Sequence, residues 1–111
     1  MKNIVALLIF LTLPFIGFSQ SALDTVSIHT SAQCGTCKKK IEHDLAYVKG
    51  VKSAVLNLDT KNVTVVYNPD KTSPEKIRDA ISRSGYDADV VLADPKAYKA
   101  LEQCCKKGGH D

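Results

Sequence analysis

The 111-residue chain has no tryptophan, and aromatic residues make up only 6% of it. Its net charge is just +3, with the lysines spread along the chain. A groove that tracks phosphates and stacks bases is therefore not expected, and nucleic acid is not an expected partner. No low-complexity stretch and no internal repeat stand out beyond a pseudo-symmetry of two halves. No nucleophile–base constellation and no cofactor loop is present, so the reading is of a protein that is not an enzyme. What remains is an ordinary globular composition, 24% charged and 44% hydrophobic. The length suits one domain with a modest core, too small for a deep substrate cavity under a lid.

The first 19 residues read as a leader and not as fold. Lys2 gives a positive start, Ile4 to Phe18 is almost wholly apolar, and Gly17 and Ser19 place small residues before a cut ahead of Gln20. The run is short for a span of about 20 residues and is interrupted by Pro14, which disfavours the alternative of an uncleaved anchor. No cysteine stands at the cut, so lipid attachment there is not indicated. Cleavage would remove Lys2 and no acid, lowering the charge from +3 to +2. The mature protein is expected in an exported, periplasmic setting, with no stable membrane insertion. There its four cysteines face conditions that permit disulfides.

Residue periodicity organises the rest. Val26 and Ile28 alternate with Ser27 and His29 as a half-buried strand. Ser31 to Thr36 is a small, polar loop. Cys37, Ile41, Leu45 and Val48 then mark one helix face, ended by Gly50. Ala54, Leu56 and Leu58, then Val63, Val65 and Tyr67, alternate on either side of the Asp59–Asn62 turn and predict a hairpin. Ser73, Pro74 and Glu75 start a second helix, whose inward face is Ile77, Ala80, Ile81 and Ser84 and whose stop is Gly85. The valine-rich segment Tyr86 to Leu92 reads as a fourth strand. Asp94-Pro95 opens a short helix with Ala97, Tyr98 and Leu101, followed by Cys104, Cys105 and a Lys/Gly/His tail. This order predicts an α+β, ferredoxin-like βαββαβ sandwich with an appended short C-terminal helix. The divisions are a leader over 1–19, a core domain over 24–93 and a C-terminal helix and tail over 94–111. Two helices would cover one face of the antiparallel sheet and leave the other to solvent.

The chemistry sits where the first strand meets the first helix, at Cys34-Gly35-Thr36-Cys37. Two intervening residues let both sulfurs converge, and the helix start offers unpaired N–H groups and partial positive charge that favour thiolates. A thiolate pair is a soft ligand set, suited to Cu(I) or another thiophilic ion such as Hg(II). Tetrahedral zinc wants four ligands, and no second pair stands at zinc-ribbon spacing. The rival use of the same pair is thiol–disulfide redox chemistry. The element order differs from that of redox proteins with this motif, and no cis-proline candidate lies opposite the thiols. A plain surface disulfide is the third alternative. Lys38, Lys39 and Lys40 can offset the charge of a dithiolate, although their simplest role is as a solvated face.

Several segments together resemble the heavy-metal-associated domain family. They are Thr30-Ser31-Ala32-Gln33-Cys34-Gly35-Thr36-Cys37, the strand with Val63-Thr64-Val65, the helix start Ser73-Pro74-Glu75-Lys76-Ile77, and Ser84-Gly85-Tyr86-Asp87-Ala88. The resemblance runs from about Asp24 to Leu92. It implies a metal-binding protein akin to copper chaperones, to the metal-binding domains of metal-pumping ATPases and to the periplasmic mercury-binding protein. Such a protein passes its ion by ligand exchange between C-x-x-C sites. The implied partner is a metal-transporting ATPase or another metal acceptor protein; the chain itself is read as a monomer. One departure is Ala32, where the family commonly has a methionine that packs. Tyr86 matches an aromatic beside the metal loop in bacterial copper chaperones, and equally suits a tyrosine packed at a strand end.

Cys104 and Cys105 lie outside this resemblance. Adjacent cysteines bridge poorly to each other, so metal ligation or redox activity is the better reading. One expectation is that the last helix folds back and brings one or both thiols to Cys34 and Cys37, raising the coordination to three or four sulfurs. The other is an independent tail site with His110. His29 and His43 read as solvated surface residues.

Overall fold

The computed structural model describes residues 22–107; the leader and His110 lie outside them. Alternation builds the sheet. Strands β1 (Asp24–His29), β2 (Val51–Asn57) and β3 (Asn62–Tyr67) pair antiparallel in the order β1-β3-β2. Ile28 and Leu56 both stand opposite Val63, while Val26 and Ala54 stand opposite Val65. Ile28, Leu56, Val63, Val65 and Tyr67 therefore share the covered face and are buried. On the other face Ser27 and Val55 flank Thr64, and Val55 is exposed to solvent.

Helices α1 (Gly35–Ala46) and α2 (Pro74–Arg83) cover the inner face with Cys37, Ile41 and Leu45 and with Ile77, Ala80 and Ile81. Burying each large aliphatic side chain contributes about 1.5–3 kcal/mol. Ser84 joins the helices by donating to Asp44 Oδ2 at 2.7 Å. The outer edge of β2 is closed from α1. Glu42 Oε2 accepts the Leu56 N–H at 2.8 Å, and Lys38 Nζ donates to the Leu56 carbonyl at 2.8 Å and to Glu42 at 2.9 Å. Side chains thus satisfy backbone groups that an unpaired edge would leave to solvent.

The fourth strand expected over Tyr86 to Leu92 is not formed. Only isolated bridges remain, Thr30 to Ala88 and Ala88 to Val91. Asp89 has φ 53°, in the left-handed region, and turns the chain so that the Ala88 and Val91 backbones bond each other at 2.8 and 2.9 Å. The segment still lies against the outer edge of β1. The Asp89 N–H donates to the His29 carbonyl at 2.8 Å, and Asp89 Oδ1 accepts the His29 N–H at 2.9 Å. A carboxylate thus takes the place of a strand's carbonyl. The ferredoxin-like α+β arrangement stands, with its last strand reduced to a turn.

Beyond it comes helix α3 (Pro95–Lys99), capped by Asp94 Oδ2 accepting the Ala97 N–H at 3.0 Å, and then a single 3₁₀ turn, Gln103–Cys105. Leu101 is buried against Gly85, whose φ of +106° and missing Cβ admit it: a Cβ there would lie 3.1 Å from Leu101 Cγ and Cδ2. Among the described residues no helix is long and apolar enough to cross a membrane.

Candidate metal centre

The loop between β1 and α1 is pinned at its base. Thr30 donates to the Lys61 carbonyl through its N–H and its Oγ1, both at 2.9 Å, and Oγ1 in turn accepts the Ala32 N–H at 3.2 Å. Ser31 Oγ accepts the Asp87 N–H at 2.9 Å. Ala32 is fully buried, so this departure from the family pattern is a small residue filling a packed position. Cys34 is the N-cap of α1 in extended conformation, and Cys37 lies in the first turn, fully buried.

Two elements bring four thiols together. Cys34 Sγ lies 3.3 Å from Cys37 Sγ, 3.2 Å from Cys104 Sγ and 3.8 Å from Cys105 Sγ. Cys104 and Cys105 are 4.0 Å apart at sulfur. All four are free thiols. Cys34 and Cys104 are half-buried, whereas Cys105 is buried with Cys37. The C-terminal segment therefore folds back onto the loop, and Cys34 is the hub. Cys34, Cys104 and Cys105 form a group whose ligand atoms all lie within 4.8 Å of one another, a geometry able to hold a metal ion.

The electrostatics mark Cys34 as the thiolate. Burial pushes its thiol up, but the Cys37 backbone N–H and the thiols of Cys104, Cys37 and Cys105 together hold it down at about 6. Cys104 moves up, first through its hydrogen-bonded contact with Cys34. Cys105 moves up chiefly through burial, and then through its contact with Cys37. The sulfurs around Cys34 thus share their protons in S–H···S contacts. A soft ion would replace those shared protons.

Tyr86 is fully buried with its hydroxyl directed toward the Cys105 and Cys37 thiols, and that hydroxyl has no hydrogen-bond partner. Burial, then the neighbouring sulfurs, hold it firmly protonated. An unpartnered buried donor facing thiols fits a site that carries thiolate charge when loaded. Tyr86 packs in the core and also faces the thiols, although no strand ends there as one reading of the sequence expected.

Sequence reasoning did not single out Asp87 and Lys107. Lys107 Nζ meets Asp87 Oδ2 at 2.7 Å, and the Lys107 N–H donates to Tyr98 Oη at 2.8 Å. The two residues are 20 apart with no local pattern to join them. His29 and His43 are exposed and bond Asn62 and Asp44 respectively.

Residues 31–87, half of the chain, match the heavy-metal-associated domain. The chain belongs to that family. Over 71 residues, 62% of the chain, it is 38% identical to a copper-exporting P-type ATPase of Staphylococcus saprophyticus, of which it spans only 9%. Among solved structures it resembles the CopZ metallochaperone, with a TM-score of 0.57 and 33% identity over 59% of this chain and 98% of that one. It also resembles oxidized MerP from Ralstonia metallidurans CH34, with a TM-score of 0.59 and 25% identity over 61% and 96% of the two chains. Membership in the heavy-metal-associated family and the cysteine cluster together support heavy-metal binding.

Proposed function

We propose that this protein is an exported carrier of a soft metal ion, Cu(I) before Hg(II), which it binds through Cys34 and Cys37 and transfers or sequesters. The observation that carries the reading is the thiol pair at 3.3 Å on the start of α1, centred on a Cys34 sulfur held toward its thiolate. Soft sulfur donors select soft cations. The similarity to a copper-exporting ATPase and to a metallochaperone favours copper as the cargo. The acceptor is then a metal-transporting ATPase or another protein offering thiols. Export to the periplasm rests on the leader pattern of residues 1–19.

Anaerobic Cu(I) titration of the reduced protein against a chromogenic chelator tests this. Cu(I) retained by the protein is expected, and Cys34→Ser with Cys37→Ser should abolish it. Intact-mass measurement of the periplasmic protein should show a chain beginning at Gln20. The redox alternative has the poised Cys34 in its favour. Ready dithiol–disulfide cycling with no Cu(I) retained would decide for it.

A further inference from the structure

Resting on that metal-binding reading, we infer that residues 94–107 form a capping arm: Cys104 and Cys105 join Cys34 around the bound ion, closing the site, and the ion leaves only when the arm lifts. The arm is built to dock. The Asp94 N–H donates to the Ser82 carbonyl at 3.0 Å, Leu101 fills the space left by Gly85, and Lys107 ties the far end to Asp87 and to Tyr98. Between these anchors the 3₁₀ turn sets Cys104 on Cys34 and buries Cys105 beneath it.

The sulfur spacing favours more than two ligands. With a metal–sulfur distance of about 2.3 Å, sulfurs stand about 4.6 Å apart across a linear ion, about 4.0 Å in a trigonal plane and about 3.8 Å in a tetrahedron. The trio Cys34, Cys104 and Cys105 is spaced at 3.2, 3.8 and 4.0 Å, nearest to the trigonal and tetrahedral values. Ligand exchange with an acceptor's thiols needs a free approach to the exposed sulfur of the loop. Here Cys104 occupies that approach, because it lies against Cys34, the less buried of the two loop thiols. The arm therefore makes the loop a retaining site and gates hand-over.

X-ray absorption of the Cu(I)-loaded protein is expected to show at least three sulfurs, falling to two in the Cys104→Ser/Cys105→Ser variant. Release of Cu(I) to excess chelator should then be at least about tenfold faster, because ligand losses of this kind act mainly on the off-rate. Lys107→Glu keeps all four cysteines and sets like charge against Asp87. It should also speed release, without changing the sulfur count. Two sulfurs in the unaltered protein, or release rates unaffected by both variants, would overturn the capping arm. Absence of Cu(I) binding by the unaltered protein would instead overturn the metal-binding reading beneath it.

Discussion

The two helices of the pseudo-symmetric halves begin in the same backbone conformation and are finished in opposite ways. Cys34 caps α1 at φ −149°, ψ 175°, and Ser73 caps α2 at φ −147°, ψ 161°. Ser73 Oγ accepts the Lys76 N–H, Pro74 follows it, and Glu75 puts an acid in the first turn, which are the features that stabilise a helix start. At α1 the cap is a sulfur, with no oxygen to accept as Ser73 Oγ does, and the first turn has no acid; Lys38, Lys39 and Lys40 follow instead. The amide groups and positive end that α2 spends on its own stability are left at α1 for thiolate sulfur. One half is built to hold the fold, the other to hold a ligand.

Exchanging the caps should break this comparison most sharply. Cys34→Ser installs an ordinary cap at a position already in the right conformation, so apo stability in urea should be unchanged or rise by up to about 1 kcal/mol. Cu(I) affinity should fall at least about 100-fold, beyond what loss of a ligand's supporting contact costs. Ser73→Ala should do the reverse, lowering stability by about 1 kcal/mol and leaving Cu(I) affinity alone. A Cys34→Ser protein as destabilised as Ser73→Ala would make Cys34 a structural residue.

The glycines that follow each helix extend the contrast, although α1 already ends at Ala46, before the stop expected at Gly50. Gly50 and Gly85 both have positive φ, +94° and +106°. A Cβ on Gly50 would meet Lys71 Cβ at 2.8 Å, while one on Gly85 would press on Ala97 and Leu101 of the arm at 3.1 Å. Alanine at either site should cost about 1–2 kcal/mol through backbone strain. Only Gly85→Ala should also loosen the arm, read as faster alkylation of the buried Cys105 thiol in the apo protein. Equal labelling rates in the two variants would separate the arm from Gly85.

Residue periodicity made most of this fold legible, because its elements are amphipathic and short in range. Ile28, Val63 and Val65 announce strands, Cys37, Ile41 and Leu45 a helix face, and Ser73-Pro74-Glu75 a helix start. The Cys34 loop was readable for the same reason, being local. Residues 86–92 misled because Val90 and Val91 have strand propensity, yet Val90 and Leu92 are exposed and Asp89 adopts a turn conformation that an aspartate tolerates. The pairing of Cys104 with Cys34 spans 70 residues. No periodic pattern carries such a distance, and the anchors that seat the segment, Leu101 on Gly85 and Lys107 on Asp87, are equally non-local.

The missing last strand gives the smallest test, and it turns on how each outer edge of the sheet is closed. Glu42 closes the edge of β2, and Asp89 does the same for β1, with Oδ1 on the His29 N–H and Oδ2 accepting from Arg78 Nε at 2.8 Å. Burial alone would raise the Asp89 carboxyl, but Arg78 and the His29 N–H outweigh it and hold it below its usual range. A carboxylate lowered on folding contributes stability that is fully present above its unfolded value, about 3.9, and is lost as pH falls through the lower folded value. Asn tolerates the same backbone conformation and keeps an oxygen for the His29 N–H, so Asp89→Asn removes the charge with little else. It should cost about 0.5–1 kcal/mol near neutral pH and flatten the acid limb of the stability curve. Glu42, Asp44 and Asp87 are also lowered, so part of that limb should persist. An unchanged limb would mean that the bridge from Thr30 to Ala88 holds this edge by itself, and that the likeness between the two edges is one of position and not of chemistry.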